Sequence, residues 1–422
     1  MYQRIPFSTP DLTEFTGAHE LGLTITGMHL QPDQAILECR TKDPDPWCTS
    51  CGAEGRSLGS ITRRLAHVPF GHRPTTVLLR IRRYTCTGCA RYWAEDTTAV
   101  AEPKAKLTRS ALRWALTGLV VDHLSVARVA AKLGVSWHTA NSAVLDEGHR
   151  VLINDSTRFA GVTTIGVDEH VWRHVRGRQK YVTVIIDLTP VRTKTGPARL
   201  LDMIEGRSKA MFKTWLEARD TSWRQGVEVV AMDGFSGFKT ATSEELPDAA
   251  AVMDPFHVVK LAGEALDDTR RRTQTAVHGR RGRRDDPLYK ARRTLLTRHR
   301  LLTEKQRVRL AEVFDKDEHA AVEVTWDAYQ EVIGAYDEKD RRKGKKLMAG
   351  LIESLRAGVP AGLEELKKLG RTLNRRKEDV LAFFDHPGSS NGPTEAINGR
   401  LEHLRGTALG FRRLENYIAR SL

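Results

Sequence analysis

Two Cys-x-x-Cys pairs constrain this chain more than any other feature. Cys48 and Cys51 stand in PWCTSCG and Cys86 and Cys89 in YTCTGCARYW, with 34 residues between the pairs. Four thiolates in two knuckles suit Zn2+, which prefers soft ligands in a tetrahedron. A redox dithiol needs only one such pair, and five cysteines in 422 residues do not make a disulfide scaffold. Between the knuckles lie β-like runs such as Thr76 to Ile81, interspersed with Arg63, Arg64, Arg80, Arg82 and Arg83. A zinc ribbon is therefore expected within an N-terminal zinc-binding domain, residues 1–100. Four protein ligands leave no open coordination position, so the ion would fold the module rather than perform chemistry. Cys39 is left over and reads as a small buried hydrophobe, with His67 and His72 as substitute ligands should one thiolate fail to bind.

The charge balance points to a polyanionic partner. Lys and Arg number 67 against 53 Asp and Glu, a net charge of +14 with an isoelectric point near 9.7. The excess is uneven: +4 over residues 1–150, +1 over 151–262 and +9 over 263–422. A nearly neutral middle with basic flanks fits a catalytic core gripped to phosphates from both sides. The densest run is Arg270, Arg271, Arg272, Arg280, Arg281, Arg283 and Arg284, expected to contact nucleic acid. A second cluster comprises Arg341, Arg342, Lys343, Lys345 and Lys346. No apolar run approaches the roughly 18 residues that would span a bilayer, and the N-terminus lacks a signal-peptide pattern. A cytoplasmic protein with no membrane partner is expected.

Residues 101–155 read as a helix-turn-helix DNA-binding domain. Leu112, Ala115, Leu116, Leu119 and Val120 keep helical spacing. In LSVARVAAKLGVSWHTANSAVLDEG, Val126, Val129 and Ala130 can face inward and Gly134 can supply a positive φ at the turn. Ser136 can cap the next helix, whose outward Trp137, His138, Asn141 and Ser142 would reach bases or phosphates in a major groove.

The pattern then changes to strands and helices: TTIGVDEHVW, KYVTVIIDL, RLLDMIEG, the helix-like SKAMFKTWLEARD, and VEVVAMD. A mixed α/β core is expected, with Asp168 and Asp233 at strand ends where both can aim at one sheet edge. Glu395 lies far downstream in SSNGPTEAINGRLEHLRG, just inside a helix begun by Asn391 and Pro393. Three convergent carboxylates suit a pair of Mg2+ or Mn2+ ions, about 3.5 to 4 Å apart, for phosphoryl displacement. Glu169 follows Asp168 directly, but successive strand residues face opposite ways. Glu402, seven residues after Glu395, shares its helix face and is the substitute candidate.

These motifs together resemble a bacterial insertion-sequence transposase of the ISL3 family, whose core is similar to ribonuclease H, and the resemblance covers nearly the whole chain. GVDEHVWRHVRGRQKYVTVIIDL resembles the family's first-Asp segment, AMDGFSGFK its second and SNGPTEAINGRLEHLRGTALGF its Glu-bearing helix. The resemblance assigns the metal-ligand roles to Asp168, Asp233 and Glu395. VMDPFHVVK places Asp254 and His257 like an Asp-x-x-His element of several transposase families, which puts His257 near a scissile phosphate or the metal shell. The implied order is a first core segment (156–262), a helical insertion domain (263–386) and a C-terminal core segment (387–422). In similar transposases such an insertion helps position transposon-end DNA. Candidate helices span 258–275, 287–300, 304–338 and 345–383, and Trp326 reads as a core residue rather than a base-stacking one.

The function implied is binding of double-stranded DNA at terminal inverted repeats, metal-dependent cleavage there, and strand transfer to target DNA by a homodimer or higher oligomer at the nucleoid. The alternatives are a non-catalytic DNA-binding regulator derived from a transposase and a nuclease without strand transfer.

Overall fold

The computed structural model describes residues 9–173, 180–408 and 410–422. Contacts gather the chain into two compact units, Met1–Asp155 with Leu404–Ser421, and Ser156–His403 with the terminal Leu422. Both contain a mixed β-sheet.

The first unit opens with α1 (Leu12–Phe15), capped by the Asp11 carboxylate. Strands β1 (Leu23–Leu30), β2 (Ala35–Thr41), β3 (Gly55–Phe70) and β4 (Arg73–Cys86) lie in the order β1-β2-β4-β3, and β5 (Tyr92–Ala94) also pairs with β4. The β2–β4 pair is parallel and the rest antiparallel. Alternation along β4 buries Val77, Leu79 and Ile81 with Leu37, Leu65 and Cys39, and leaves Arg80 and Arg83 outside. The sheet is larger than the ribbon expected from the cysteines, because β3 and β4, of 16 and 14 residues, extend far beyond the knuckles.

Three helices follow: α2 (Arg109–Val120), α3 (Val126–Leu133) and α4 (Trp137–Gly148), each started by a hydroxyl cap from Thr108, Ser125 or Ser136. Between α3 and α4, Gly134 takes φ +64, the left-handed conformation that a side chain disfavours. Val126, Val129, Ala130, Leu133, Ala140 and Val144 form one small core.

In the second unit, β6 (Thr164–Val171), β7 (Tyr181–Asp187), α5 (Thr189–Thr193), β8 (Arg199–Glu205), α6 (Lys209–Glu217), α7 (Thr221–Gly226), β9 (Val229–Met232), α8 (Ser236–Glu245) and β10 (Ala250–Met253) follow in sequence. The sheet order is β10-β9-β6-β7-β8. β7 runs antiparallel to both β6 and β8, while β9 joins β6 and β10 joins β9 in parallel. β6 and β9 are central, so their residues are buried from both sides, and α6 and α8 cover one face through Phe212, Trp215 and Phe238.

A helical body interrupts this layer: α9 (Pro255–His278), α10 (Pro287–Leu295), α11 (Glu304–Phe314), α12 (Ala320–Asp337), α13 (Arg341–Ala357), α14 (Glu364–Arg375) and α15 (Lys377–Asp385). It has its own core, including Leu266, Leu288, Val332, Met348, Ile352 and Leu373. The expected helix over 304–338 is two helices, because the chain breaks after Phe314 and buried His319 bonds through Nδ1 to the Val313 carbonyl at 2.7 Å. The expected helix over 345–383 is three, broken first by the Gly358 to Gly362 stretch, which contains Pro360. Trp326 packs against this core beside Phe314 and His299. Last come α16 (Gly392–Thr407) and α17 (Leu414–Ser421). Among the described residues no helix is long and apolar enough to cross a membrane.

Candidate active site and metal centre

The cysteine centre forms where two loops and a strand end meet. Cys48 and Cys51 precede β3, Cys86 ends β4, and Cys89 lies in the turn to β5. Their sulfurs all lie within 4.8 Å of one another. The Cys48–Cys89 separation is 3.7 Å and the Cys51–Cys86 separation 3.3 Å. A tetrahedron with metal–sulfur bonds of about 2.3 Å has edges of about 3.8 Å, so the donor set is positioned to hold a metal ion. Backbone N–H groups of Cys89 and Gly88, each 3.3 Å from the Cys86 sulfur, favour its thiolate, and the Cys89 N–H leads in holding that thiol down to about 6. Cys39 is fully buried in the sheet core, where desolvation pushes its thiol up to about 12. His67 is buried and bonded to Thr108 Oγ1 at 2.9 Å, away from the thiolates' hydrogen-bond network.

The carboxylates are positioned by strand register. Val167 pairs with Met232 across the parallel β6–β9 ladder, so Asp168 and Asp233 are the next residues on two neighbouring strands running the same way. Asp168 accepts the Glu169 N–H at 2.8 Å, and Asp233 accepts the Phe235 N–H at 2.8 Å. Burial pushes Asp168 up to about 7; the Glu169 N–H opposes this and the Asp233, Glu169 and Asp254 charges add to it. Asp233 is raised too, by burial first, with the Phe235 N–H, His257 and Arg376 opposing. Two carboxyls destabilised as anions in one place are what a cation would relieve. Glu169 is engaged elsewhere, in a two-oxygen pair with Arg207 at 2.7 and 2.9 Å.

His257 stands in the first turn of α9 beside the Asp233 loop. A Cβ added to Gly234 would collide with His257 Nε2, so this approach requires glycine. Burial lowers the His257 pKa and favours the neutral ring, against the pull of Asp233. Arg376, buried at the start of α15, donates from Nη1 to the Gly234 carbonyl at 3.3 Å and binds Asp379, which Lys239 also grips at 2.8 Å. This brace holds the Asp233 loop from the helical side.

The segment leading into α16 docks on β6. Buried Asp254 accepts the Asn391 N–H at 2.7 Å and the Ser390 hydroxyl at 3.2 Å, and Asn391 Nδ2 reaches the Val167 carbonyl at 3.4 Å. Asn398 Nδ2 then donates to Asp168 Oδ2 at 3.1 Å, and Glu402 lies 3.8 Å from His170. The helix therefore follows β6 from residue 167 toward 170. Glu395 is exposed in its first turn, three residues before Asn398 and so on a neighbouring part of the same face. Among the described residues, the cysteine quartet alone forms a group of three or more such side chains with all ligand atoms within 4.8 Å. Asn398 Oδ1 is buried without a hydrogen-bond partner, an orphaned hard oxygen donor on the residue bonded to Asp168 that fits a divalent cation. The Asn398 and Gly234 roles carried no motif in the sequence; only the long-range pairing reveals them.

Other candidates divide by environment. Ser136 caps α4 by accepting the Thr139 N–H at 3.2 Å. Trp137, His138 and Ser142 are exposed, Asn141 is half-buried, and the Trp137 and His138 rings meet edge to face. Of the arginine run, Arg270 is buried and bound to Asp267 and Gln274. Arg271 pairs with Asp267 and Asp268, Arg272 with Glu365 at 2.7 Å and Arg280 with Asp286 at 2.9 Å. Arg281, Arg283 and Arg284 lie in the loop before α10, Arg281 and Arg284 among its exposed residues. In the second cluster, Arg341 is tied to the Phe383 and Phe384 carbonyls, Lys343 to Glu338 and Lys345 to Asp385, while Arg342 and Lys346 are exposed.

Comparison with known proteins identifies the family of this chain. A family model described as a transposase, the ISL3-type DDE transposase model, matches residues 165–421. The transposase for insertion sequence element IS1557 of Mycobacterium tuberculosis is 26% identical over 317 residues, covering 69% of this chain and 66% of that protein. The transposase for insertion sequence element IS1001 of Bordetella parapertussis is 23% identical over 380 residues, covering 88% of this chain and 86% of its own. The Drosophila P element transposase strand transfer complex aligns with 74% of this chain and 90% of its own at a TM-score of 0.39 and 11% identity. With the matched region running from β6 through α17, the chain belongs to the ISL3 family of insertion-sequence transposases.

Proposed function

We propose that this chain binds the terminal inverted repeats of an insertion sequence, cleaves phosphodiester bonds there and joins the freed ends to target DNA. The observation that carries the reading is the register of β6 and β9, which sets Asp168 beside Asp233, with α16 hydrogen-bonded to Asp168 from the far end of the sequence. The strand order β8-β7-β6-β9-β10, antiparallel then parallel, supports a ribonuclease-H-like core.

In this reading Asp168, Asp233 and Glu395 would hold two Mg2+ or Mn2+ ions. When bound, such ions lower the pKa of water and offset charge on the attacking and leaving oxygens. The protein's own part is placement. Asn398 and the Glu169 N–H orient Asp168, the Phe235 N–H orients Asp233, and Arg376 braces the loop between Asp233 and Phe235. His257, whose neutral form burial favours, would approach the scissile phosphate or support the metal shell. Water cleaves the end junction to leave a 3′-hydroxyl, and that hydroxyl attacks target phosphate with loss of its proton, displacing a second 3′-oxygen. No covalent protein intermediate is required. Two ends must meet, so a dimer or larger assembly follows from the reaction.

The cysteine centre binds zinc and stabilises the N-terminal sheet. α3, Gly134 and α4 serve as a helix-turn-helix, with Ser136, Trp137, His138, Asn141 and Ser142 presented to a major groove. Arg281, Arg283 and Arg284 remain available to DNA from the arginine run, whereas Arg270 is committed to the fold.

Labelled terminal-repeat DNA incubated with protein and magnesium tests the reading. Nicking followed by joining is expected, and Asp168→Asn or Asp233→Asn abolishes both while DNA affinity stays. Full cleavage by Asp168→Asn refutes the assignment. Binding without cutting by the unaltered protein makes it a regulator, and cutting without joining a nuclease.

A further inference from the structure

The densest arginine run in the sequence is largely neutralised by its own neighbours, yet a quieter segment is not. From Leu366 to Lys377 the chain carries no acidic residue. Folding places Leu366, Leu369, Gly370 and Leu373 inward, where α14 packs on α9 and α13. Gly370 permits the closest approach: a Cβ there would stand 2.9 Å from Leu355 Cβ. The opposite face carries Lys367, Lys368, Arg371 and Arg375, all exposed, and among the described residues none of the four lies within 4.0 Å of a carboxylate.

Helix stability does not account for this arrangement. Lys367, Arg371 and Arg375 are spaced four apart, so each repels the next along one face. Lys367 and Lys368 also stand in the first half of the helix, where the macrodipole disfavours cations. The stripe from Lys367 to Arg375 is about 12 Å long at about 1.5 Å per residue. The very next residue, Arg376, reaches the Gly234 carbonyl directly after Asp233. The C-terminal end of the stripe is therefore one residue away from a side chain that holds the loop after Asp233.

We propose that the outward face of α14 is a phosphate-binding track for duplex DNA, feeding the Asp168–Asp233 end of the sheet. The choice of partner rests on the transposase reading. The contact is electrostatic and independent of sequence, because lysine and arginine here meet the backbone rather than base edges. Each phosphate neutralised releases counterions, which makes salt dependence the direct readout.

The test is a fluorescence-anisotropy titration of the full-length protein with a labelled random-sequence duplex over a range of salt concentrations. The variant is Lys367→Ala/Arg371→Ala/Arg375→Ala, in which alanine at exposed helical positions preserves the helix, and an unchanged melting temperature confirms folding. At physiological salt the affinity is expected to fall at least tenfold. The slope of log K against log salt should become shallower by about 0.9 for each phosphate no longer neutralised, up to about 2.7 for three. An unchanged slope overturns the proposal, and is the result expected if the face instead receives an acidic protein. Magnesium-dependent cleavage of terminal-repeat DNA by the unaltered protein reports on the catalytic reading separately. No cleavage with a shallower variant slope leaves the track standing without the catalysis; cleavage with an unchanged slope does the reverse.

Discussion

Asn398 donates its amide N–H to Asp168 Oδ2 at 3.1 Å across 230 residues of sequence. Its own Oδ1 is buried with no partner, so one side chain both orients a carboxylate and offers an oxygen beside it. Asn398→Ala should therefore slow cleavage about 10- to 100-fold, the usual scale for groups that orient metal ligands, with DNA affinity unchanged. Single-turnover nicking alongside anisotropy separates the two. An equal loss of binding would show that Asn398 only supports the helix.

The Asp168 carboxyl, raised from 3.8 to about 7, makes a pH prediction for the metal-free protein. Between those values the folded chain holds a proton that the unfolded chain has released, so stability falls as pH rises across that window. Asp168→Asn removes the buried charge and should stabilise the apoprotein above pH 7, converging with the unaltered chain toward pH 4. Each tenfold difference in proton affinity between the folded and unfolded chain is worth about 1.4 kcal/mol, so the gap is on the order of a few kcal/mol. Urea unfolding in chelator across this range measures it, and parallel curves would contradict the assignment.

Cys48→Ser removes one of four sulfurs gathered within 4.8 Å. Zinc content should fall from one ion per chain toward none, and binding to terminal repeats should weaken as the sheet end loosens. Atomic absorption on the purified variant gives the answer; full zinc occupancy would mean the site is held by other ligands.

Arg270 is 6% exposed and paired with Asp267, although its sequence context suggests a DNA contact. Arg270→Ala should cost about 1 to 3 kcal/mol of stability, since it leaves the buried Gln274 oxygen without its donor while Asp267 keeps Arg271, and leave the salt dependence of DNA binding as it was. Chemical denaturation and the anisotropy titration together check both halves.

The chemistry was legible where local pattern carries it. The cysteine knuckles, the strand end before Asp233 and the Ser136 cap follow from spacing within a few residues, whereas Asp168, expected at a strand end, lies inside β6, which continues to Val171. What pairs over distance was not. Nothing in SNGPTEAINGR marks Asn398 as the partner of Asp168, and nothing in AMDGF shows that Gly234 leaves room for His257, because both depend on register between segments far apart. Charge density in the sequence likewise does not show which cations the fold pairs. Arg270, Arg271, Arg272 and Arg280 form a conspicuous run, but Asp267, Asp268, Glu365 and Asp286 neutralise them once folded. The α14 stripe is sparser in sequence and unopposed in space.

The docking of α16 on β6 also has a temporal meaning. Strand β6 emerges from the ribosome long before Asn391 and Asn398, which must fold back onto it. The surroundings of Asp168 are thus complete only once α16 has been synthesised. Any product terminated before α16 would carry Asp168 without the hydrogen bond that Asn398 donates to it.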